Sequence, residues 1–168
     1  MRLVDYLDLH YYPQYSNGQN IGLVGREGVD YGARWVAPDV GTLSEHAFRL
    51  FLDFDGAKSR VVGDSIPASS SVRAAIGAYA IDQPAAKLFV LLFNRDTVAR
   101  TINLNVTGTN AVSYNAYRLS STGYTQIATA VPVVGNAVSL AGVGSYTATL
   151  LVIDKSGAPN LMFANGFE

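Results

Sequence analysis

Cysteine is absent from this sequence, and several other residues with useful side-chain chemistry are scarce. The 168 residues include no cysteine, two histidines, three glutamates and one tryptophan. Without cysteine, neither a disulfide framework nor a thiolate metal site nor a cysteine nucleophile can form. The two histidines, His10 and His46, fall on different predicted elements, so we expect no metal site and no cofactor.

Long apolar runs and an excess of one charge are also missing. No stretch contains about 18 consecutive uncharged apolar residues, which argues against a membrane span. The first residues lack the apolar core of a signal peptide. A formal net charge of −1 provides no basic field for a phosphate backbone, so nucleic acid is not an expected partner. The chain is also too short for a complete (β/α)8 barrel, which needs about 200 residues or more.

The second half of the chain has the pattern of a β-sandwich. Short apolar or alternating runs are separated by turn signals such as Gly-Asn, Gln-Pro and Ser-Thr-Gly. About eight strands spaced in this way predict an antiparallel sandwich of Greek-key or jelly-roll type. The predicted strands are 60–63, 74–81, 87–94, 99–106, 113–119, 124–129, 137–140 and 145–153.

One helix is predicted upstream of the sandwich. Thr42 and Glu45 fit a capping box, and apolar residues then recur every three or four positions up to Asp55. Gly56 could supply the left-handed residue that follows a helix. Residues 3–12 and 29–35 read as strands, residues 14–20 as a polar loop, and residues 21–28 as either a short helix or a loop. The chain therefore divides into 1–58, the sandwich 59–153 and a tail 154–168.

Candidate ligand-binding residues lie at the ends of the two N-terminal strands. His10, Tyr11 and Tyr12 end the first strand, and Trp35 ends the second. In parallel α/β barrels this edge binds substrate. Tryptophan can stack on a pyranose ring, while tyrosine and histidine can bond sugar hydroxyls. A lone tryptophan is also common in protein cores, and this alternative stays open.

Carboxylates are too few to specify a catalytic pair with ease. Glycoside hydrolysis normally uses two, about 5–5.5 Å apart in retaining enzymes. Glu45 is better explained as a helix cap, which leaves Glu27 and Asp8 as weak catalytic candidates. Glu27 follows Arg26 directly, so a local ion pair explains it at least as well.

Three segments resemble the C-terminal part of family 44 glycoside hydrolases, which are endoglucanases and xyloglucanases. They are LDLHYYP (7–13), GLVGREGV (22–29) and AFRLFLDFDG (47–56). The resemblance implies that residues 1–58 are a remnant of a (β/α)8 barrel, that a β-glucan is the ligand, and that the parent family is bacterial and secreted. It also implies that His10 and Tyr12 line the cleft and that Trp35 floors a neighbouring subsite.

The departure from the family concerns both catalytic glutamates. The family's acid/base glutamate stands in an Asn-Glu-Pro context that is absent here. Its nucleophile falls in the interval that residues 14–20 occupy, and these hold no carboxylate. We therefore expect a carbohydrate-active protein that binds polysaccharide without hydrolysing it. The alternatives are a minimal endoglucanase-type hydrolase that uses other carboxylates, and a structural sandwich without a ligand.

An isolated barrel remnant should also associate with itself. Strands without their neighbours leave backbone edges and apolar faces uncovered. We therefore expect a homo-oligomer, a dimer or larger, that buries residues 3–9 and 29–35.

Overall fold

A computed structural model of the chain describes residues 17–28, 37–84 and 86–156. These residues form two helices and eight strands, and the mainly β, antiparallel, sandwich-like fold predicted from the sequence is confirmed. The elements are α1 (Asn17–Arg26), α2 (Leu43–Leu52), β1 (Asp64–Ile66), β2 (Ile76–Gln83), β3 (Lys87–Asn94), β4 (Arg100–Asn105), β5 (Ala111–Ser120), β6 (Gly123–Pro132), β7 (Ala137–Val143) and β8 (Thr147–Lys155). No helix among the described residues is long and apolar enough to cross a membrane.

Six of the strands form one antiparallel sheet in the order β1-β2-β3-β8-β5-β6. The remaining two strands, β4 and β7, pair with each other in a separate two-stranded ribbon. Strand β8 lies in the middle of the large sheet, where Leu150 stands opposite Leu91 of β3 and Tyr117 of β5. The uninterrupted apolar run at residues 88–93 explains why β3 is also central, since both of its faces are covered.

The large sheet carries an apolar core on each of its two faces. The ribbon-side core joins Val90, Leu92 and Ile153 to Val138 and Leu140 of β7. The helix-side core packs α2 and the turn after it onto alternate residues of β3, β5 and β8; its members include Ala47, Leu50, Phe54, Phe89, Leu91, Tyr117 and Leu150. The period-two alternation of a strand sends neighbouring residues to opposite cores.

Helix α2 begins as the sequence predicts. The Oγ1 atom of Thr42 accepts a hydrogen bond from the backbone N–H of Glu45 at 3.3 Å. The Glu45 carboxylate reaches back to the N–H of Gly41 at 2.9 Å, one residue further than an ordinary capping box. The helix ends at Leu52 rather than near Asp55, and Gly56 lies in the following turn instead of acting as the cap.

Tyr124 of β6 fastens the end of α2 to the sheet. Its hydroxyl donates a hydrogen bond to the carbonyl of Phe54. Its ring stacks on the ring of Tyr117, with 6.2 Å between the two centroids. The guanidinium of Arg49, a residue of α2, lies 5.4 Å from the centroid of the Tyr124 ring. Burial, with a smaller contribution from Tyr117, raises the pKa of Tyr124, so the phenol keeps the proton that it donates.

Two expectations for the first 66 residues are wrong. The polar loop predicted for 14–20 gives way at Asn17 to helix α1, so the structure describes two helices rather than one. Contact explains this, because Gly22 packs directly against the ring of Tyr79 on β2. The strand predicted at 60–63 is also displaced to β1, because Gly63 approaches the Asp82 carbonyl too closely for any side chain.

Candidate functional site

Most of the site candidates taken from the sequence lie outside the described residues. These are the weak catalytic candidate Asp8 and the ligand-binding candidates His10, Tyr11, Tyr12 and Trp35. Their roles stay predictions.

Glu27 is described, and its carboxylate is engaged by its chain neighbour. The residue follows α1 and donates its backbone N–H to the carbonyl of Leu23 at 2.9 Å. Its Oε1 atom lies 2.7 Å from Nε of Arg26, and both side chains are more than half exposed. An exposed ion pair of this kind is screened by solvent, and this local contact with Arg26 accounts for the Glu27 carboxylate without a catalytic role.

One cleft in the described structure lies beside the turn between β7 and β8. We call it the Tyr146 cleft; its volume is about 500 Å³. Apolar walls come from Leu43 at the start of α2 and from Phe93 and Leu119 of the sheet. Polar groups come from Arg95, Ser120, Ser121 and Ser145. An apolar hollow with a few converging hydroxyl and guanidinium groups is the usual make-up of a small-ligand site.

Tyr146 stands at the mouth of this cleft in an uncommon backbone conformation. Its φ is +50°, in the left-handed region that bulky residues rarely adopt, and 58% of its surface is exposed. Such strain costs on the order of 1–3 kcal/mol and persists only where neighbours enforce it. Here Thr147 helps to enforce it, because its hydroxyl donates a hydrogen bond to the Gly144 carbonyl at 2.8 Å across the turn.

Buried Asn94 at the end of β3 holds the same turn from below. Its Nδ2 atom lies 2.9 Å from the carbonyl oxygen of Val143, 2.8 Å from that of Gly144 and 3.0 Å from that of Val98. Its Oδ1 atom accepts the backbone N–H of Asp96 at 2.9 Å. One amide side chain thus satisfies several backbone groups at once, which fixes where Tyr146 projects.

The second cleft contains three arginines, and we call it the arginine cleft. Its volume is about 420 Å³, and Arg26, Arg73 and Arg95 line it together with Tyr79 of β2 and Ser70. The three arginines come from the end of α1, the turn before β2 and the loop after β3. Arg95 lines both clefts.

The strand order places both clefts at one end of the large sheet. At that end Ile76 of β2 stands opposite Asn94, and Asn94 stands opposite Thr147 of β8. Leu119 of β5 pairs with Ala148 one step further along. The loops that follow β3 and precede β8 therefore meet, although about 50 residues separate them in the chain.

Sequence reasoning missed Tyr146 and the three arginines. The sequence indicates only a turn at residues 142–144. The one available hint is the Gly-Ser-Tyr sequence that follows, because it has an aromatic residue where turns usually have small polar ones. A metal site was not expected from the sequence. The described residues contain no group of three or more histidine, aspartate or glutamate side chains that could hold a metal ion.

The fold resembles parts of solved glycoside hydrolases. A bifunctional glucanase-xylanase, CelM2, from a metagenome library matches 85% of this chain at 26% identity with a TM-score of 0.78. A Paenibacillus polymyxa xyloglucanase of family 44, solved with xyloglucan, matches 83% at 20% identity with a TM-score of 0.74. A family 44 endoglucanase from Clostridium thermocellum matches 82% at 23% identity with a TM-score of 0.72.

This chain spans 28% of the length of each of these three structures. No protein-family model matches the sequence, and no curated protein matches it. The described residues thus have the architecture of the β-sandwich region of glycoside hydrolases. More particularly, the resemblance to family 44 endoglucanases and xyloglucanases that the sequence indicated is confirmed.

Proposed function

We propose that this protein binds β-1,4-glucan polysaccharide without the two catalytic glutamates of family 44. In this proposal residues 1–58 are the barrel remnant, residues 59–153 are the sandwich that carries the ligand, and 154–168 is a tail. Self-association through residues 3–9 and 29–35 remains part of the proposal.

The observation that carries the proposal is Tyr146, an exposed aromatic ring held in a strained conformation beside a polar-lined cleft. Strained backbone is stabilised by its surroundings and clusters at ligand sites. Ser121 and Ser145 have no hydrogen-bond partner among the described residues, which leaves their hydroxyls free for a sugar. The same fold occurs in enzymes whose ligands are glucans and xyloglucan, and this supports a β-glucan as the ligand.

Trp35 is the second proposed anchor, with His10, Tyr11 and Tyr12 beside it. These residues come from the family resemblance, whereas Tyr146 comes from the geometry of the sandwich. A glucan chain is long enough to contact two aromatic platforms, so the two proposals are compatible.

Removing an aromatic platform should weaken glucan binding about tenfold or more, because truncating such anchors commonly costs about 2 kcal/mol. We expect this for Tyr146→Ala and for Trp35→Ala in affinity electrophoresis through gels containing hydroxyethylcellulose or xyloglucan. A positive φ is unfavourable for alanine as it is for tyrosine, so Tyr146→Ala removes the ring without relieving the backbone strain.

Tyr146→Phe, which keeps the ring, should retain most of the affinity and serves as the matched control. Val134→Ala, at an exposed site outside both clefts, should bind like the wild type. Undiminished binding by both the Tyr146→Ala and the Trp35→Ala variants would contradict the aromatic-anchor model. Absence of binding by the wild type would favour a structural sandwich without a ligand.

Catalysis is expected to be at most trace. A retaining mechanism needs a nucleophile and a proton donor on either side of the bond, and Glu27 is exposed and paired with Arg26. We expect negligible release of reducing sugar from carboxymethylcellulose or xyloglucan by protein made in a host without cellulase. Robust turnover that Glu27→Gln or Asp8→Asn abolishes would instead establish the minimal hydrolase.

A further inference from the structure

The arginine cleft gathers more positive charge than the fold explains. Arg26, Arg73 and Arg95 line one hollow, and no acidic side chain lines it among the residues that the structure describes. Like charges at close range repel each other, and an excess of them in a concave surface focuses a positive potential there. The formal charge of the whole chain is only −1, so this concentration is local.

The partners of the three guanidinium groups differ. Arg26 is bound to the Glu27 carboxylate and lies 5.7 Å from the centroid of the Tyr79 ring. Arg95 donates a hydrogen bond to the backbone carbonyl of Arg73, which orients it but neutralises no charge. The guanidinium of Arg73 has no hydrogen-bond or ion-pair partner in the described part of the chain. Three cations thus face a single nearby carboxylate.

The N–H donors of this cleft are of the kind that binds a carboxylate. A guanidinium group presents its N–H donors in a planar fork that matches the two oxygens of a carboxylate. The hydroxyl of Ser69 adds a donor in the same cleft. The ring of Tyr79 gives the cleft an apolar floor.

Arg95 connects this cleft to the Tyr146 cleft, because the residue lines both. A polymer whose sugar ring stacks on Tyr146 can therefore continue past Arg95 towards Arg73 and Arg26. Along that path three cations face only the Glu27 carboxylate, which is bound to Arg26. This excess of positive charge favours an acidic sugar over a neutral one.

We propose that the arginine cleft binds carboxylate groups carried on the polysaccharide, so that the preferred ligand is an acidic β-glycan bearing uronate-type substituents. This inference rests on the proposed function and specifies its ligand class. The backbone of the glycan stacks on Tyr146, and its carboxylates bind Arg73 and Arg26.

The test compares two cellulose derivatives that share a backbone, the anionic carboxymethyl and the neutral hydroxyethyl form, at low ionic strength. We expect the wild type to bind the anionic form at least about tenfold more tightly, a difference typical of one or two charge-assisted contacts. The preference should fall as salt is added and should be lost in Arg73→Gln. Arg60→Gln, an exposed arginine outside the cleft, should keep it.

Each other outcome contradicts a specific part of the inference. Equal binding of both polymers, or an Arg60→Gln variant that loses the preference as fully as Arg73→Gln, would refute the carboxylate site while leaving glucan binding intact. Binding of neither polymer would refute the proposed function and this inference with it. Inorganic phosphate that competes more strongly than free glucuronate would reassign the cleft to phosphate and overturn the proposal.

Discussion

Phe89→Ala is expected to lower the free energy of unfolding by about 3–5 kcal/mol, the range typical of a buried phenylalanine. Phe89 is 1% exposed and lies on β3, with β2 and β8 hydrogen-bonded on either side. Its ring centroid is 5.9 Å from that of Phe54, which closes the helix-side core from above. Because two strands and a helix turn hold the surroundings in place, the site cannot collapse to fill the cavity. Urea denaturation followed by circular dichroism measures the change.

Two control variants show whether the loss of stability comes from the cavity left by the Phe89 ring. Phe89→Leu keeps most of the apolar volume and should cost about 1.5 kcal/mol. Val98→Ala, at a residue that is 54% exposed, should change stability by no more than about 0.5 kcal/mol. If Phe89→Ala cost no more than Val98→Ala, the helix-side core would not be packed as described.

Asn94→Ala is expected to cost about 3 kcal/mol, although it removes only a few atoms. The side chain is 2% exposed, and its amide serves the carbonyls of Val98, Val143 and Gly144. Alanine leaves these buried acceptors, together with the N–H of Asp96, without their partner. Unsatisfied buried polar groups cost about 1–3 kcal/mol each, and water entering the gap recovers part of this. Thermal and urea unfolding both report the loss.

Asn94→Asp separates the hydrogen-bond explanation from a simple loss of volume. An aspartate has nearly the same shape, but its carboxylate has no hydrogen to donate and faces backbone carbonyl oxygens. The pKa of this aspartate should rise above the unfolded value of about 3.9. A group with a raised folded pKa loses stability as pH rises through that pKa, so the deficit relative to the wild type should be largest at pH 7, shrink as pH falls through the raised pKa, and be smallest below about pH 4. A deficit that does not vary with pH would contradict the role assigned to this amide.

Strands could be predicted closely where the pattern of apolar and polar residues indicates which faces are buried. Residues 89–93 are apolar at every position, which requires cover on both faces, and β3 is indeed flanked by two strands and packed on two cores. Ile102 and Leu104 alternate with Thr101 and Asn103, a pattern typical of a strand with one solvent-exposed face, and β4 has such a face. The cap at Thr42 could be identified because its chemistry is local.

Features that depend on distant contacts could not be predicted. The Asn-Gly pair at residues 17–18 is a strong turn signal, yet a helix forms there because Gly22 and Arg26 meet Tyr79, more than 50 residues away. Tertiary packing routinely overrides local propensity in this way. The displacement of β1 has the same kind of cause, since nothing near Gly63 in the sequence shows that the Asp82 carbonyl will lie against it.

The two clefts show most clearly what could not be predicted from the sequence. Arg26, Arg73 and Arg95 are unremarkable as three solvated cations along a chain, and only the pairing of β2 with β3 and the docking of α1 bring them together. Tyr146 belongs to a turn whose conformation depends on Asn94, and no spacing rule connects these two residues. Both clefts follow from strand order, which a residue pattern does not encode.

The central position of β8 has a consequence for how the protein is made. The ribosome adds β8 after every other strand of the sheet, yet it is the strand that joins β3 to β5. Until residues 147–155 have been synthesised, β3 and β5 each keep an open hydrogen-bonding edge, and neither core is complete. During vectorial synthesis the six-stranded sheet is therefore completed only when β8 inserts between β3 and β5, and until then the nascent chain exposes strand edges that favour aggregation.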